Sequence, residues 1–104
     1  MSKVALIVKL TAVEGRRDEL FAAFDEQFQA ASAEPGTEVY ALHADTVDSD
    51  VLWFYELYSD QDALALHAGS QAMKAAGPRL KPLLAGRPEI TRLAPLRASG
   101  LAFD

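Results

Sequence analysis

The chain has 104 residues, half of them hydrophobic, a formal net charge of −5 and no cysteine. This length fits one domain over 1–104, with a core over about 3–96 and a short tail over 97–104. The acidic balance disfavours nucleic acid or an anionic membrane as the main partner, and the lack of cysteine excludes disulfides and thiolate chemistry. No apolar run approaches the roughly 20 residues of a membrane span, and no signal-peptide core is visible, so we expect a cytoplasmic protein.

Two segments, 3–11 and 51–58, are almost continuously apolar and are predicted to be strands covered on both faces. In residues 16–33 the apolar residues recur at helical spacing, with Leu20, Phe24 and Phe28 on one face, which predicts a helix. Glu34-Pro35-Gly36 is predicted to end that helix. A second strand is predicted over 37–45, before a polar loop.

The C-terminal half is predicted to be mainly helical. A helix capped by Ser59 or Asp60 ends near Gly69, and Ser70 begins a short helix over 71–76. Gly77-Pro78 is predicted to break that helix and to start another over 79–84. A last strand over 87–97 contains two prolines, which place it at a sheet edge.

The order strand, helix, strand, strand, helices, strand predicts an α+β fold of the ferredoxin-like, split β-α-β type. Helices cover only one face of such a sheet, although the two central strands are apolar on both faces. We therefore expect a homodimer in which a second copy covers the other face.

The 51–58 strand and the helix after it carry side chains that can take part in catalysis. Trp53 and Glu56 lie in the strand, and His67 lies on the next helix, on the same face as Ala63 and Leu64. A half-buried imidazole there can act as a general base near neutral pH, or it can simply be hydrogen-bonded to the sheet. Glu56 can orient His67 or carry a raised pKa, or it can form a structural ion pair with Arg79 or Arg92.

Several segments together resemble the antibiotic biosynthesis monooxygenase family. They are Gly15 before an aromatic helix, 34–37 before a strand, 53–58 followed by 59–64 and His67, and 83–86 followed by 88–90. The resemblance implies a dimeric α+β barrel with a pocket between helices and sheet in each subunit. It also implies oxidation of phenols or quinols by molecular oxygen, often without a cofactor, although other members degrade haem or isomerise small metabolites.

The chain departs from the family pattern just after His67. Many relatives resemble His-x-x-[Ser/Thr]-Pro-His-Phe, whereas this chain has Ala72 and Met73 at the last two positions. Chemistry that needs two imidazoles is therefore not expected. Haem degradation also fits poorly, because those members resemble a pattern with an asparagine on the first strand, and this chain has no asparagine.

The resulting hypothesis is a small cofactor-independent monooxygenase that oxidises a phenolic or quinol-type substrate, with His67 and Glu56 as catalytic candidates. Aromatic residues are the candidates for substrate binding, namely Trp53, Tyr55, Phe24, Phe28 and Tyr40. Strand parity puts Trp53 and Tyr55 on the face opposite Phe54 and Glu56, so these cannot all line one pocket. A metal site is not expected, since His43 and His67 lack a nearby carboxylate at ligand spacing. A non-catalytic dimeric binding protein and an isomerase are the alternatives.

Overall fold

A computed structural model describes residues 2–103. Its centre is an antiparallel sheet of four strands: β1 (Val4–Thr11), β2 (Thr37–Ala44), β3 (Val51–Tyr58) and β4 (Glu89–Leu93). The strand order is β2-β3-β1-β4, so the two continuously apolar strands are the central ones and β4 lies at an edge. The predicted α+β, ferredoxin-like class is confirmed.

Four helices pack on one face of this sheet. They are α1 (Arg17–Ala22), α2 (Asp25–Ser32), α3 (Gln61–Ala68) and α4 (Gln71–Leu80), and a 3₁₀ turn (Lys81–Leu83) follows α4. The predicted caps are present, since Asp60 Oδ1 accepts from the Ala63 amide at 2.8 Å and Ser70 Oγ accepts from the Met73 amide at 3.3 Å. No helix within residues 2–103 is both long and apolar enough to cross a membrane.

The core lies between the helices and the even-numbered residues of β1 and β3. Phe54 is at its centre, with ring centroids of Phe24, Phe28 and Tyr40 at 5.0, 5.9 and 4.6 Å. Such clusters contribute about 0.5–1.5 kcal/mol per aromatic pair beyond the burial of apolar area. The regularly spaced aromatic residues Phe24 and Phe28 therefore pack in the core.

The odd-numbered residues of β1 and β3 point away from the helices, to the face we call the open face. Ile7, Trp53 and Tyr55 are half-buried there. Trp53 Nε1 donates to Asp45 Oδ2 at 2.8 Å, and Lys9 Nζ lies 5.8 Å from the Trp53 ring centroid. Trp53 is thus held by neighbours on its own side of the sheet.

The single helix predicted over 16–33 is wrong, because the chain forms two helices interrupted at Ala23 and Phe24. At this interruption the Phe24 amide bonds to the carbonyl of Phe21 instead of continuing the i−4 pattern. The Ala23 carbonyl accepts from Arg79 Nε at 3.1 Å. A side chain from α4 therefore binds the backbone where the helical ladder changes, an interaction with no local sequence signal.

The predicted break at Gly77-Pro78 is also wrong, since α4 continues through both residues to Leu80. Proline inside a helix lacks the amide donor and clashes with the i−4 carbonyl and with the residue before it. Only the last of these clashes is reduced here, because Gly77 has no Cβ. Arg79 then ties this end of the helix to α2 through Glu26 Oε2 at 3.2 Å and Gln27 Oε1 at 2.8 Å. The strand predicted over 87–97 is shorter, Glu89–Leu93, and both prolines lie outside it.

Gly36 permits the close approach of α3 to the start of β2. A Cβ built on Gly36 lies 2.4 Å from Ala63 Cβ and 3.2 Å from Ser59 Oγ. The Ser59 amide also donates to the Gly36 carbonyl at 2.9 Å, so the two segments are held together at this point. A side chain on residue 36 must push α3 outward.

We expect Gly36→Ala to lower the free energy of unfolding by about 1–3 kcal/mol, the usual cost of overpacking. Urea unfolding followed by Trp53 fluorescence measures this change. Gly86→Ala is the matched control, because a Cβ there meets no heavy atom within 4 Å, and it should change stability by less than about 0.5 kcal/mol. Equal effects of the two substitutions would contradict the packing argument.

Candidate functional site

His67 is held by a carboxylate from a distant part of the chain. Its side chain is buried, 4% exposed, and Nδ1 lies 2.8 Å from Glu34 Oε1. The same oxygen accepts from Thr37 Oγ1 at 2.8 Å, which fixes the carboxylate in turn. A carboxylate only accepts hydrogen bonds, so Nδ1 carries the hydrogen and Nε2 is the nitrogen left to accept a proton.

Two tyrosines from the sheet enclose the imidazole. The ring centroids of Tyr40 and Tyr58 lie 5.1 and 5.3 Å from that of His67. The Tyr58 hydroxyl donates to Glu56 Oε1, and both residues are buried. The residues His67, Tyr40, Tyr58 and Glu56, with Glu34, form what we call the polar cluster.

Burial determines the protonation of this cluster. It raises the pKa of Glu56, while the hydrogen bond from Tyr58 and the charge of His67 act in the opposite direction. Burial also raises the pKa values of Tyr40 and Tyr58 far above the ordinary value, and the nearby Glu56 carboxylate adds to both shifts. At neutral pH the tyrosines are therefore hydrogen-bond donors and not bases.

A cleft of about 510 Å³ opens beside His67, which we call the His67 cleft. Its walls come from the 33–37 segment and from residues around the N-terminus of α3, namely Ser59, Asp60, Asp62 and Ala63, with Leu66 and His67 completing it. Three carboxylates line it, those of Glu34, Asp60 and Asp62, and no lysine or arginine does so within residues 2–103. This charge pattern favours a neutral or cationic ligand over an anion.

The predicted site residues do not lie together in one site. His67 lines the cleft, whereas Glu56 is 6% exposed, does not line the cleft and accepts from Tyr58 within the polar cluster. Phe28 and Tyr40 line a smaller pocket of about 180 Å³, which shares Thr37 with the His67 cleft.

Phe24 is buried in the core, 5% exposed. Trp53 and Tyr55 lie on the open face, so within one chain they do not share a pocket with His67. The alternative ion pair of Glu56 with Arg79 or Arg92 is wrong, since Glu56 bonds to Tyr58. Arg79 binds α2, and Arg92 donates to Gln61 Oε1 at 2.5 Å.

Sequence reasoning missed Glu34 and Thr37 as site residues. The sequence pattern places Glu34 in a helix stop and in one of the segments that resemble the family, and it gives no link to His67, which lies 33 positions later. One signal was available: Glu34 is a carboxylate at a chain reversal, and a later helix has to pack against that reversal. Within residues 2–103, no group of three or more histidine, aspartate or glutamate side chains is arranged to hold a metal ion.

Comparisons with known proteins agree with the fold. The sequence profile of the antibiotic biosynthesis monooxygenase family matches residues 3–79. A crystal structure of a proposed antibiotic biosynthesis monooxygenase from Caulobacter crescentus is 30% identical, with 92% of each chain covered and a TM-score of 0.87. Rv0793 from Mycobacterium tuberculosis is 29% identical, with 95% of this chain and 100% of that chain covered and a TM-score of 0.84. None of the curated proteins matches the chain.

We expect Glu56→Gln to stabilise the protein increasingly as pH rises from about 4 to 7. A glutamate has an ordinary pKa of about 4.3, and burial raises that of Glu56 in the folded state. At a pH below the ordinary pKa, Glu56 is protonated in both the folded and the unfolded protein. Above it the unfolded chain loses the proton first, so wild-type stability falls with rising pH. Glutamine still accepts from Tyr58 and has no proton to lose.

Urea unfolding at several pH values measures the difference between the two proteins. Glu14→Gln, on an exposed turn, controls for the removal of one negative charge. A difference between wild type and Glu56→Gln that does not change with pH would show that Glu56 ionises normally.

Proposed function

The chain belongs to the antibiotic biosynthesis monooxygenase family, and we propose that it oxidises a neutral phenolic or quinol-type aromatic substrate with molecular oxygen. The observation that carries the proposal is the pairing of His67 with Glu34 at the wall of the His67 cleft. Together these residues form a buried imidazole with a defined tautomer beside a space that admits a small ligand.

In this proposal His67 Nε2 takes the phenolic proton, and the phenolate supplies electrons to oxygen. A carbon–oxygen bond forms on the ring, and the resulting hydroperoxide loses water to leave a quinone carbonyl. One oxygen atom enters the product and the other leaves as water, so phenol plus oxygen balances quinone plus water. The substrate provides all of the electrons, which is why no redox cofactor is invoked.

The other members of the polar cluster act as positioning residues. Glu34 fixes the His67 tautomer, and Glu56 orients the Tyr58 hydroxyl beside the ring of His67. Tyr40 and Phe28 extend the aromatic wall where the smaller pocket adjoins the cleft at Thr37. The carboxylates of the cleft repel anions, which supports a neutral phenol and not a carboxylated or phosphorylated one.

We also propose that the protein is a homodimer joined through the open face. Ile7, Val39 and Tyr55 are half-buried apolar side chains on that face of the sheet. A second copy would cover them and give Trp53 and Tyr55 a place in an interface. An obligate interface of this type buries on the order of 2,000 Å² or more.

We expect Ile7→Lys to convert the dimer to monomers, because it introduces a charge at the centre of the open face. Sedimentation velocity at micromolar concentration measures the change. Val47→Lys is the matched control, since Val47 is 93% exposed in a loop, and it should leave the dimer intact. A wild-type monomer under these conditions would contradict the proposal.

We expect His67→Gln to slow oxygen consumption with phenols or quinols by roughly 10²–10⁴-fold, the usual contribution of a positioned general base. Glutamine keeps hydrogen bonding and approximate size but cannot accept the proton. His43→Gln is the matched control, because His43 is the other histidine of the chain and lies exposed on β2. An oxygen electrode with a panel of quinols and phenols provides the measurement.

Full activity of His67→Gln would show that His67 is structural and would leave Glu56 as the candidate base. No turnover of any phenol or quinol by the wild-type protein would overturn the oxidation proposal. The non-catalytic binding protein would then be favoured, with the isomerase next.

A further inference from the structure

A second concavity lies away from the His67 cleft, and we call it the α4 groove. It has a volume of about 660 Å³ and is formed by one stretch of chain, from α4 through the 3₁₀ turn to the segment before β4. Its walls are mainly apolar, with Met73, Ala76, Leu80 and Leu84 among the lining residues. None of its lining residues lines the His67 cleft. The volume is in the range of small-molecule sites.

The α4 groove is positively charged, although the chain as a whole is negatively charged. Lys81 and Arg87 line it, and no aspartate or glutamate does so within residues 2–103. Neither cation takes part in an ion pair among those residues. The chain has a net charge of −5, so two cations beside an apolar groove form a local site for an anion.

We propose that the α4 groove binds an amphipathic monocarboxylate, such as a medium-chain fatty acid. Its carboxylate would contact Arg87 and Lys81, and its alkyl chain would lie against Met73, Leu80 and Leu84. The α4 C-terminus beside the groove carries a partial negative charge, which weakens the attraction of the two cations for any anion. Burial of the alkyl chain must therefore supply much of the binding free energy.

Isothermal titration with decanoate, below its micellar concentration, tests the proposal. Decanol keeps the chain without the charge, and acetate keeps the charge without the chain. We expect decanoate to bind at least tenfold more tightly than either, since both the cations and the apolar wall contribute. His67→Gln should bind decanoate as the wild type does, which separates this site from the proposed oxidation.

Two variants locate the binding. Lys81→Gln/Arg87→Gln should weaken decanoate binding roughly tenfold or more, by the loss of charge-assisted hydrogen bonds. Gly86→Leu should weaken it similarly by filling the groove, and its side chain starts in open space. Lys74→Gln is the matched control, because Lys74 lies exposed on α4 outside the lining, and it should bind normally.

Equal binding of decanoate and decanol, or unchanged binding by the double variant, would overturn the proposal. A change in sedimentation of Gly86→Leu would also overturn it, since the groove would then be an interface between copies of the chain. If Gly86→Leu does not fold by circular dichroism, the double variant and Lys74→Gln decide the result alone.

Discussion

The contact between Gly36 and Ala63 is the constraint on which the geometry of the site depends. It brings the first turn of α3 against the chain reversal that follows α2. His67 lies one helical turn after Ala63, on the same face, and Glu34 lies two residues before Gly36. The close approach therefore sets the 2.8 Å distance between His67 Nδ1 and Glu34 Oε1. A wider separation would leave the imidazole without its carboxylate.

The polar cluster holds His67 and its neighbours in one arrangement, but the burial of its ionisable groups lowers the stability of the folded state. Burial of Glu56 opposes its ionisation, and two tyrosines with raised pKa values surround the imidazole. Hydrogen bonds pair Tyr58 with Glu56 and His67 with Glu34, so the buried groups among them have partners inside the protein. Groups with perturbed pKa values beside a cleft are more often found at functional sites than in ordinary cores.

The family resemblance correctly predicted the fold and pointed to His67, but it did not identify the partner of His67. Glu34 is separated from it by a helix stop, two strands and a loop, so no local pattern connects them. The helix predictions were wrong at two places that involve α4. Arg79 binds the backbone carbonyl of Ala23 where α1 and α2 separate, and α4 continues through Pro78, next to which Gly77 has no Cβ to clash with the proline ring. Both effects depend on contacts between helices or on the fit of one side chain to its neighbour.

By itself, the sequence determined the order of elements, the central position of β1 and β3, the edge position of β4 and the placement of Trp53 opposite Glu56. These features follow from apolar periodicity and from proline and glycine chemistry, which act over a few neighbouring residues. Only the tertiary structure decided that Glu34 holds His67, that Tyr58 holds Glu56, and that an acidic cleft and a basic groove lie apart. Those features depend on distances between segments far apart in the chain, and packing of the helices on the sheet sets these distances.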